Sequence, residues 1–339
     1  MADMIRVGVI GAGKNTRSRH IPGLQKLDGV SVTAVCNRSP ESSNKAAGEF
    51  DIPRVYDKPE ELLGSPEIDA VVIGTWPYKH RDFTVAALEN GKHVLCEARM
   101  AMNSSEARDM LRAAEANPGL TAQVVPAPMT LSQDRAVREL VEQITPLTSV
   151  FVRNNSSGFP SMESELTWRR DRKYSGNNLM AVGIYYETIM RWTGGVSRVF
   201  ADTKLIQRKA RDPETDAQVT VDVPDYAVIL GQLVRDQAGF VMTSHSAAGV
   251  QESEIIISGF RGTIRVVPGR NIFFRSGEAD DFREVPFPEG DGWRVEEEFI
   301  RAIRGQGQIE KTTFSDGLKY MQFTDAVHES SAKGCWITI

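Results

Sequence analysis

The chain has 339 residues, 41% hydrophobic and 25% charged, and its 40 Lys+Arg against 45 Asp+Glu leave a formal net charge of -5. At roughly 150 residues per domain there is room for about two domains. The acidic balance excludes a nucleic-acid binder, since the densest basic run, Arg169-Arg170-Asp171-Arg172-Lys173, is short and broken by an acid, and no window of ~18 consecutive apolar residues exists to cross a membrane. The opening, Met1 to Arg6, lacks the charged and apolar regions of a secretory signal. Cys36, Cys96 and Cys335 are odd in number and widely spaced, which fits a reducing compartment better than a disulfide framework. A cytoplasmic protein is expected.

In the first third, short apolar runs alternate with amphipathic stretches. Ile5 to Ile10 reads as a buried strand, followed by a glycine turn and a helix to about Leu27. Val30 to Val35 is a second strand, Glu41 to Phe50 a helix, Ile68 to Ile73 a third strand, Arg81 to Asn90 a helix and His93 to Cys96 a fourth strand. Ser104 to Ala116 has helical apolar spacing, and Leu120 to Val125 is a fifth strand. The alternation predicts an α/β chain whose residues 1–125 form a doubly wound parallel sheet of the Rossmann type. Beyond lie a helix at Gln133 to Gln143, a strand at Ser149 to Asn154, a Ser/Gly/Pro-rich loop at Asn155 to Ser161 and a helix from Asn177 to Trp192. Strand-like runs follow at Val196 to Phe200, Val219 to Val223, Ala227 to Leu233, Gly239 to Ser244, Glu254 to Ser258, Thr263 to Val267 and Ile272 to Arg275. Helices at Arg294 to Arg304 and Asp316 to Gly334 close the chain. Short polar and glycine turns between the strands predict antiparallel neighbours, hence an α+β domain with an open, mostly antiparallel sheet over residues 126–339.

Gly11-Ala12-Gly13, directly after the first strand, carries the first two glycines of a dinucleotide fingerprint. One permits the tight turn; the other lets backbone N–H groups reach a pyrophosphate at a helix start, here Lys14-Asn15-Thr16. Thr16 stands where the third glycine belongs, a departure that loosens helix–strand packing or adds a hydroxyl near the phosphates. The second strand runs out through Asn37-Arg38-Ser39, with no carboxylate to accept a ribose 2′-hydroxyl. Arg38 and Ser39 suit a 2′-phosphate, so NADP is favoured over NAD; the plainer reading is that Arg38 is solvated. Thr75-Trp76-Pro77 would form the far wall of the crevice. His80, early in the next helix, reads as a packing or capping residue beside that wall.

These residues resemble the Gfo/Idh/MocA family of oxidoreductases. The resemblance rests on Val7-Gly8-Val9-Ile10-Gly11-Ala12-Gly13, Ile73-Gly74-Thr75-Trp76-Pro77 with His80, and the run Ala87 to Glu97. Further on it rests on Trp168-Arg169, the helix with Gly183, Gly259-Phe260-Arg261-Gly262-Thr263, Phe314-Ser315-Asp316-Gly317-Leu318 and the closing Ala326 to Gly334. It implies a Rossmann domain, a second domain on an open antiparallel sheet, and homodimers or homotetramers formed through that sheet's outer face. The family's Glu-Lys-Pro signature falls on Glu97, Ala98 and Arg99, so the carboxylate is kept and the amine is lost. Its Asp-x-Gly-x-His-x-x-Asp signature falls on Ala181, Gly183, Tyr185 and Thr188; positions 181, 185 and 188 share one helical face, which here offers a methyl, a phenol and a hydroxyl.

Three functions compete. The first is NAD(P)-dependent oxidoreduction of a small carbonyl or polyhydroxy compound, with Tyr185 as proton donor in the usual histidine's place and Lys173 among the cations that would assist it. Glu97 joins Tyr185 and Lys173 as a catalytic candidate and, with Arg99, lies on the cofactor side. Trp168, Arg169, Asp171, Tyr174, Ala181 and Thr188 lie on the substrate side. The second is a lyase or glycosidase holding the dinucleotide, and the third a silent dinucleotide-binding partner or sensor. The scattered histidines and cysteines show no metal-ligand spacing.

Overall fold

A strand covered by helices on both faces must be apolar at nearly every position, and Ile5–Ile10 obeys: only Arg6 is not buried. The computed structural model describes residues 4–156, 164–246, 252–277, 281–288 and 292–339. The chain divides into two units, residues 1–126 with 294–318, and residues 127–293 with 319–339.

In the first unit, β1 (Ile5–Ile10), β2 (Val30–Cys36), β3 (Arg54–Val55), β4 (Ala70–Ile73), β5 (His93–Cys96) and β6 (Ala122–Val124) pair in parallel in the order β3-β2-β1-β4-β5-β6. This is the expected doubly wound sheet with one short edge strand added. Its α-helices before residue 126 are α1 (Ile21–Gln25), α2 (Pro40–Glu49), α3 (Pro59–Gly64), α4 (His80–Glu89) and α5 (Ser104–Ala116). Ser39 and Asn103 cap α2 and α5 by accepting from the N–H groups of Ser42 and Glu106. The single helix expected after β1 is instead a π turn, Thr16–His20, running into α1; Ile21 N–H reaches back to Thr16 O. Strand order reverses between β1 and β4, so their C-terminal ends frame the crevice where such sheets take ligands.

The second unit holds α6 (Asp134–Ile144), β7 (Leu147–Ser156), α7 (Arg172–Ser175), α8 (Val182–Thr193), β8 (Val196–Lys204), β9 (Lys209–Arg211), β10 (Gln218–Thr220), β11 (Tyr226–Leu233), β12 (Gly239–Ser246), β13 (Glu252–Gly259), β14 (Gly262–Val267), β15 (Asn271–Ser276) and β16 (Arg283–Val285). With β17 (Ile337–Thr338), most of these strands form a nine-stranded sheet, β16-β15-β14-β13-β7-β12-β11-β8-β17, antiparallel except between β7 and β12. The pleat sorts the side chains. Val150, Val152, Ile255, Ile257, Ile229 and Met242 are buried on one face. On the other, register aligns Phe273, Arg265, Ile256, Phe151, Val241, Leu230 and Phe200 in one row across seven strands. The helix expected from Asn177 starts only at Val182, because Met180 takes a positive φ (43°) and breaks the helical path; Gly176 (φ 63°) ends α7 before it. Of the expected loop, residues 157–161 lie outside the described residues.

The chain then returns to the first unit through α9 (Val295–Ile303), although everything after residue 125 is expected in the second domain. The reason is an edge. Val124 and Thr312 exchange backbone hydrogen bonds, and Gln123 pairs with Thr313 beside β6. The Gln123 amide donates to Glu298 (3.0 Å) and to Lys311 O (2.7 Å). Inside α10 (Phe314–Lys333) the division falls at Leu318. No helix is long and apolar enough to cross a membrane among the described residues.

Candidate functional site

After Ile10 the chain must reverse into a helix within a few residues. Gly11 does so at φ 85°, and a Cβ there would lie 2.8 Å from Gly74 C and Thr75 N. Thr16 is buried, and its hydroxyl packs on Gly74, where any Cβ would overlap Thr16 Oγ1 and Gly11 O. The close helix–strand approach that a third glycine normally permits is therefore kept, with the missing side chain moved onto β4's exit. Gly13 stays open. The first turn, Lys14 to Thr16, begins where β1 ends and presents its N–H groups at the strands' C-terminal ends.

Asn37 fastens the end of β2 to this turn: its Oδ1 accepts from Ala12 N–H (2.7 Å) and its amide donates to Ser42 O (2.9 Å). Ser39 is spent as the α2 cap. Of the three residues expected to meet a 2′-phosphate, Arg38 alone is exposed and without a partner among the described residues.

On the far wall, Thr75 Oγ1 is buried with no hydrogen-bond partner among the described residues. Trp76 is half-buried beside Tyr78, and Pro77 starts a short buried turn. His80 is fully buried. Its Nε2 lies 2.9 Å from Thr75 O and its Nδ1 2.9 Å from Arg99 O. Burial holds its pKa below the ordinary value against the pull of those carbonyls. No ring nitrogen remains for a ligand, so His80 pins the end of β4 to the segment after β5. Arg99 is buried.

Glu97 follows β5 directly. Its Oε1 accepts from the Asn15 amide and lies 3.0 Å from His20 Nε2; its Oε2 accepts from Ala98 N–H at 3.2 Å. The other nitrogen of His20, Nδ1, is 2.5 Å from Glu296 Oε1 on α9. Burial would drive the imidazole toward neutrality, but the two carboxylates reverse that and raise its pKa to about 9. Burial likewise pushes Glu97 up, yet His20, Asn15 and Ala98 N–H together hold it below the usual carboxylate range.

The second unit takes the remaining candidates. Asp171 caps α7; Lys173 is exposed with its ammonium over the Tyr174 ring, and Arg169 lies over Trp168. On α8, Ala181 is the N-cap, Tyr185 is 5% exposed with its phenol toward Ser253, and Thr188 is fully buried 3.1 Å from Thr130 Oγ1. Burial raises the Tyr185 phenol above its ordinary pKa. Two of the three positions on this face are thus occupied inside the unit.

Sequence reasoning passes over His20, Glu296 and the packing role of Gly74. A signal exists for two of them. Glu296 interrupts the apolar stripe Val295-Phe299-Ile300, and His20 adjoins Ile21 and Leu24, all buried; a charge on a buried stripe needs a partner.

Two family models match the chain, an oxidoreductase family with an NAD-binding Rossmann fold over residues 5–124 and the GFO/IDH/MocA C-terminal domain over residues 135–265. The chain is 24% identical, over an alignment covering 98% of its length and 93% of the relative's, to glucose-fructose oxidoreductase domain-containing protein 2 of Xenopus tropicalis. It is 40% identical over 111 residues, 33% of each chain, to 1,5-anhydro-D-fructose reductase of Ensifer adhaerens. Levoglucosan dehydrogenase in complex with NADH and levoglucosan shares the fold at a TM-score of 0.88 and 20% identity, covering 99% of this chain and 100% of that one.

Proposed function

The chain belongs to the Gfo/Idh/MocA oxidoreductase family, and on that premise we propose that it moves hydride between NADP and a small carbonyl or polyhydroxy compound of the sugar or cyclitol kind. The carrying observation is the Gly11–Gly13 turn packed on Gly74 at the switch point, with the orphaned Thr75 hydroxyl buried beside it. A glycine cradle and an unpartnered hydroxyl fit a dinucleotide. When bound, the nicotinamide supplies the hydride acceptor or donor.

The chain's own residues bind and orient. The N–H groups of Lys14, Asn15 and Thr16 hold the pyrophosphate, Arg38 meets the 2′-phosphate, and Thr75, Trp76 and Glu97 form the wall beyond. Tyr185 remains protonated at neutral pH, as a proton donor to a developing alkoxide must be. Trp168, Arg169, Asp171, Lys173 and Tyr174 lie on the substrate side. Calorimetric titration with NADPH and NADH tests the first part: tighter NADPH binding, abolished as a preference by Arg38→Ala, supports it, and binding of neither nucleotide overturns it. Loss of about 10²–10⁴-fold in turnover of a polyol or carbonyl in Tyr185→Phe supports the proton donor.

One observation favours a second reading, a dinucleotide-binding protein without turnover: the hydroxyl of Thr188, at a signature position, is sealed against Thr130. Tight NADPH binding with no turnover across such a panel would select it. The outer row of the nine-stranded sheet carries Phe151 (48% exposed) and Leu230 (41%), an apolar face that suits a second copy of itself. We assign it the interface of a homodimer or homotetramer, which light scattering on Phe151→Glu would show dissociated. The free buried thiols of Cys36 and Cys96 agree with a cytoplasmic setting.

A further inference from the structure

An ionised carboxylate offers about four acceptor positions. On Glu97, Oε1 takes the Asn15 amide and His20, and Oε2 takes Ala98 N–H. The fourth is unfilled among the described residues, on a side chain that is only 14% exposed. A nearly buried carboxylate with one position left open is a group prepared for a donor. Its place narrows the donor's identity. Glu97 follows β5, in the β4–β6 half of a sheet whose two halves each take one nucleotide of a dinucleotide. The β1–β3 half, through β2's exit at Asn37-Arg38-Ser39, serves the adenine ribose.

Behind Glu97 the structure invests in holding it. His20 has no solvent exposure and a carboxylate against each ring nitrogen, at 3.0 and 2.5 Å. Both nitrogens can donate only if the ring is the imidazolium. Glu296 reaches it because Gly23 on α1 has no side chain; a Cβ there would stand 3.0 Å from the Glu296 carboxyl. Neither His20 nor Glu296 is accessible to a ligand of any size.

We propose that His20 and Glu296 are positioning residues of the dinucleotide site: the imidazolium, clamped between two carboxylates, keeps Glu97 charged and turned so that its open acceptor position takes a hydroxyl or amide N–H of the nicotinamide nucleoside half. The proposal rests on the dinucleotide reading above. The groups facing His20 are Asn15 from the glycine turn, Glu97 after β5 and Glu296 from α9; on its own turn, Arg17 pairs with Glu49. Without His20, burial is left to push Glu97 toward its neutral form, which accepts less well.

The test is calorimetric titration of the wild type, His20→Gln and Glu97→Gln with NADPH or NADH, whichever the wild type binds tighter, and with ADP as a probe of the adenine half. It is run from about pH 5.5 to about pH 8.5, across the range where a buried carboxylate would titrate. Expected are flat wild-type binding, about tenfold weaker dinucleotide binding by His20→Gln at the acid end recovering as pH rises, a uniform loss in Glu97→Gln, and unchanged ADP binding throughout. A pH-independent loss in His20→Gln shared equally by ADP would overturn the proposal, since His20 would then merely support the glycine turn. So would unchanged dinucleotide binding. A wild type that binds neither dinucleotide instead overturns the dinucleotide reading itself. Nitrogen chemical shifts of His20 in the wild type need no variant to fold: a neutral ring at pH ~7 would also overturn the proposal.

Discussion

Each unit wedges a cation between two buried carboxylates, and the two clusters end differently. In the first, His20 lies between Glu97 and Glu296. In the second, Arg191 lies between Asp134 and Glu187; it also donates to Thr130, while Trp192 donates to Asp134 at 2.8 Å and Ala127 N–H to Glu187 at 2.9 Å. Arginine keeps its proton at any pH a protein meets, so the second cluster is a permanent brace binding α6 and the segment 127–130 to α8. Histidine gives up its proton at about pH 9 here, and one of its carboxylates keeps an open acceptor position. In the second cluster the remaining Asp134 oxygen faces Arg138 Nε at 3.7 Å and is sealed from solvent, so the charges hold a structure; in the first, Glu97 stays 14% exposed with an acceptor position left over, so it can hold a ligand.

Arg191→Met should break the comparison most severely. Deleting the shared cation leaves Glu187 without its arginine and Asp134 with only the more exposed Arg138 at 3.7 Å, a loss of about 3–5 kcal/mol, which denaturant unfolding would show at neutral and alkaline pH alike. The His20 cluster should differ in being pH-dependent. Its folded pKa is raised from 6.5 to about 9, so its stabilisation is complete below pH ~6.5 and disappears as pH rises through about 9, amounting to a few kcal/mol. Glu97, whose pKa is depressed, contributes above its ordinary range and loses that contribution as pH falls. Wild-type stability should therefore fall toward alkaline pH, and His20→Gln should lack that slope.

Gly74→Ala probes the glycine turn that the first cluster supports. Overpacking on Thr16 and Gly11 should cost about 1–3 kcal/mol and weaken dinucleotide binding, with Thr16→Ala in the same chain restoring part of both. Smallest in stability is Tyr185→Phe. Removing the hydroxyl beside Ser253 costs no more than about 0.5–1.5 kcal/mol, and a melting temperature close to wild type alongside a collapse in turnover would separate the phenol's chemistry from packing.

Legibility followed distance along the chain. β4 announces itself as a continuous apolar run, and β1 and β5 as runs broken only by Arg6 and His93, because both faces are covered, while β2 alternates with Ser31 and Thr33 before its apolar end. β3, β9 and β10, two or three residues each, carry too few side chains to show a period. The Gly11–Gly13 turn is readable because its constraint is local. The Asn37 bond to Ala12 crosses 25 residues, and the His20–Glu296 contact crosses 276; neither leaves a local pattern. The α8 face was readable as a face, since periodicity places Ala181, Tyr185 and Thr188 together, but not as satisfied, since Thr130 and Ser253 come from elsewhere.

Local sequence alone determines the alternating strands and helices, the positive φ at Gly11, the caps at Ser39 and Asn103, and the absence of a lysine after Glu97, because each depends on backbone sterics or on residue identity within a few positions. Tertiary structure decides the rest. It returns residues 294–318 to the first unit because β6 has an edge to pair, lets Thr16 stand for a glycine because Gly74 yields the space, and charges His20 because two distant carboxylates meet it where water cannot screen them.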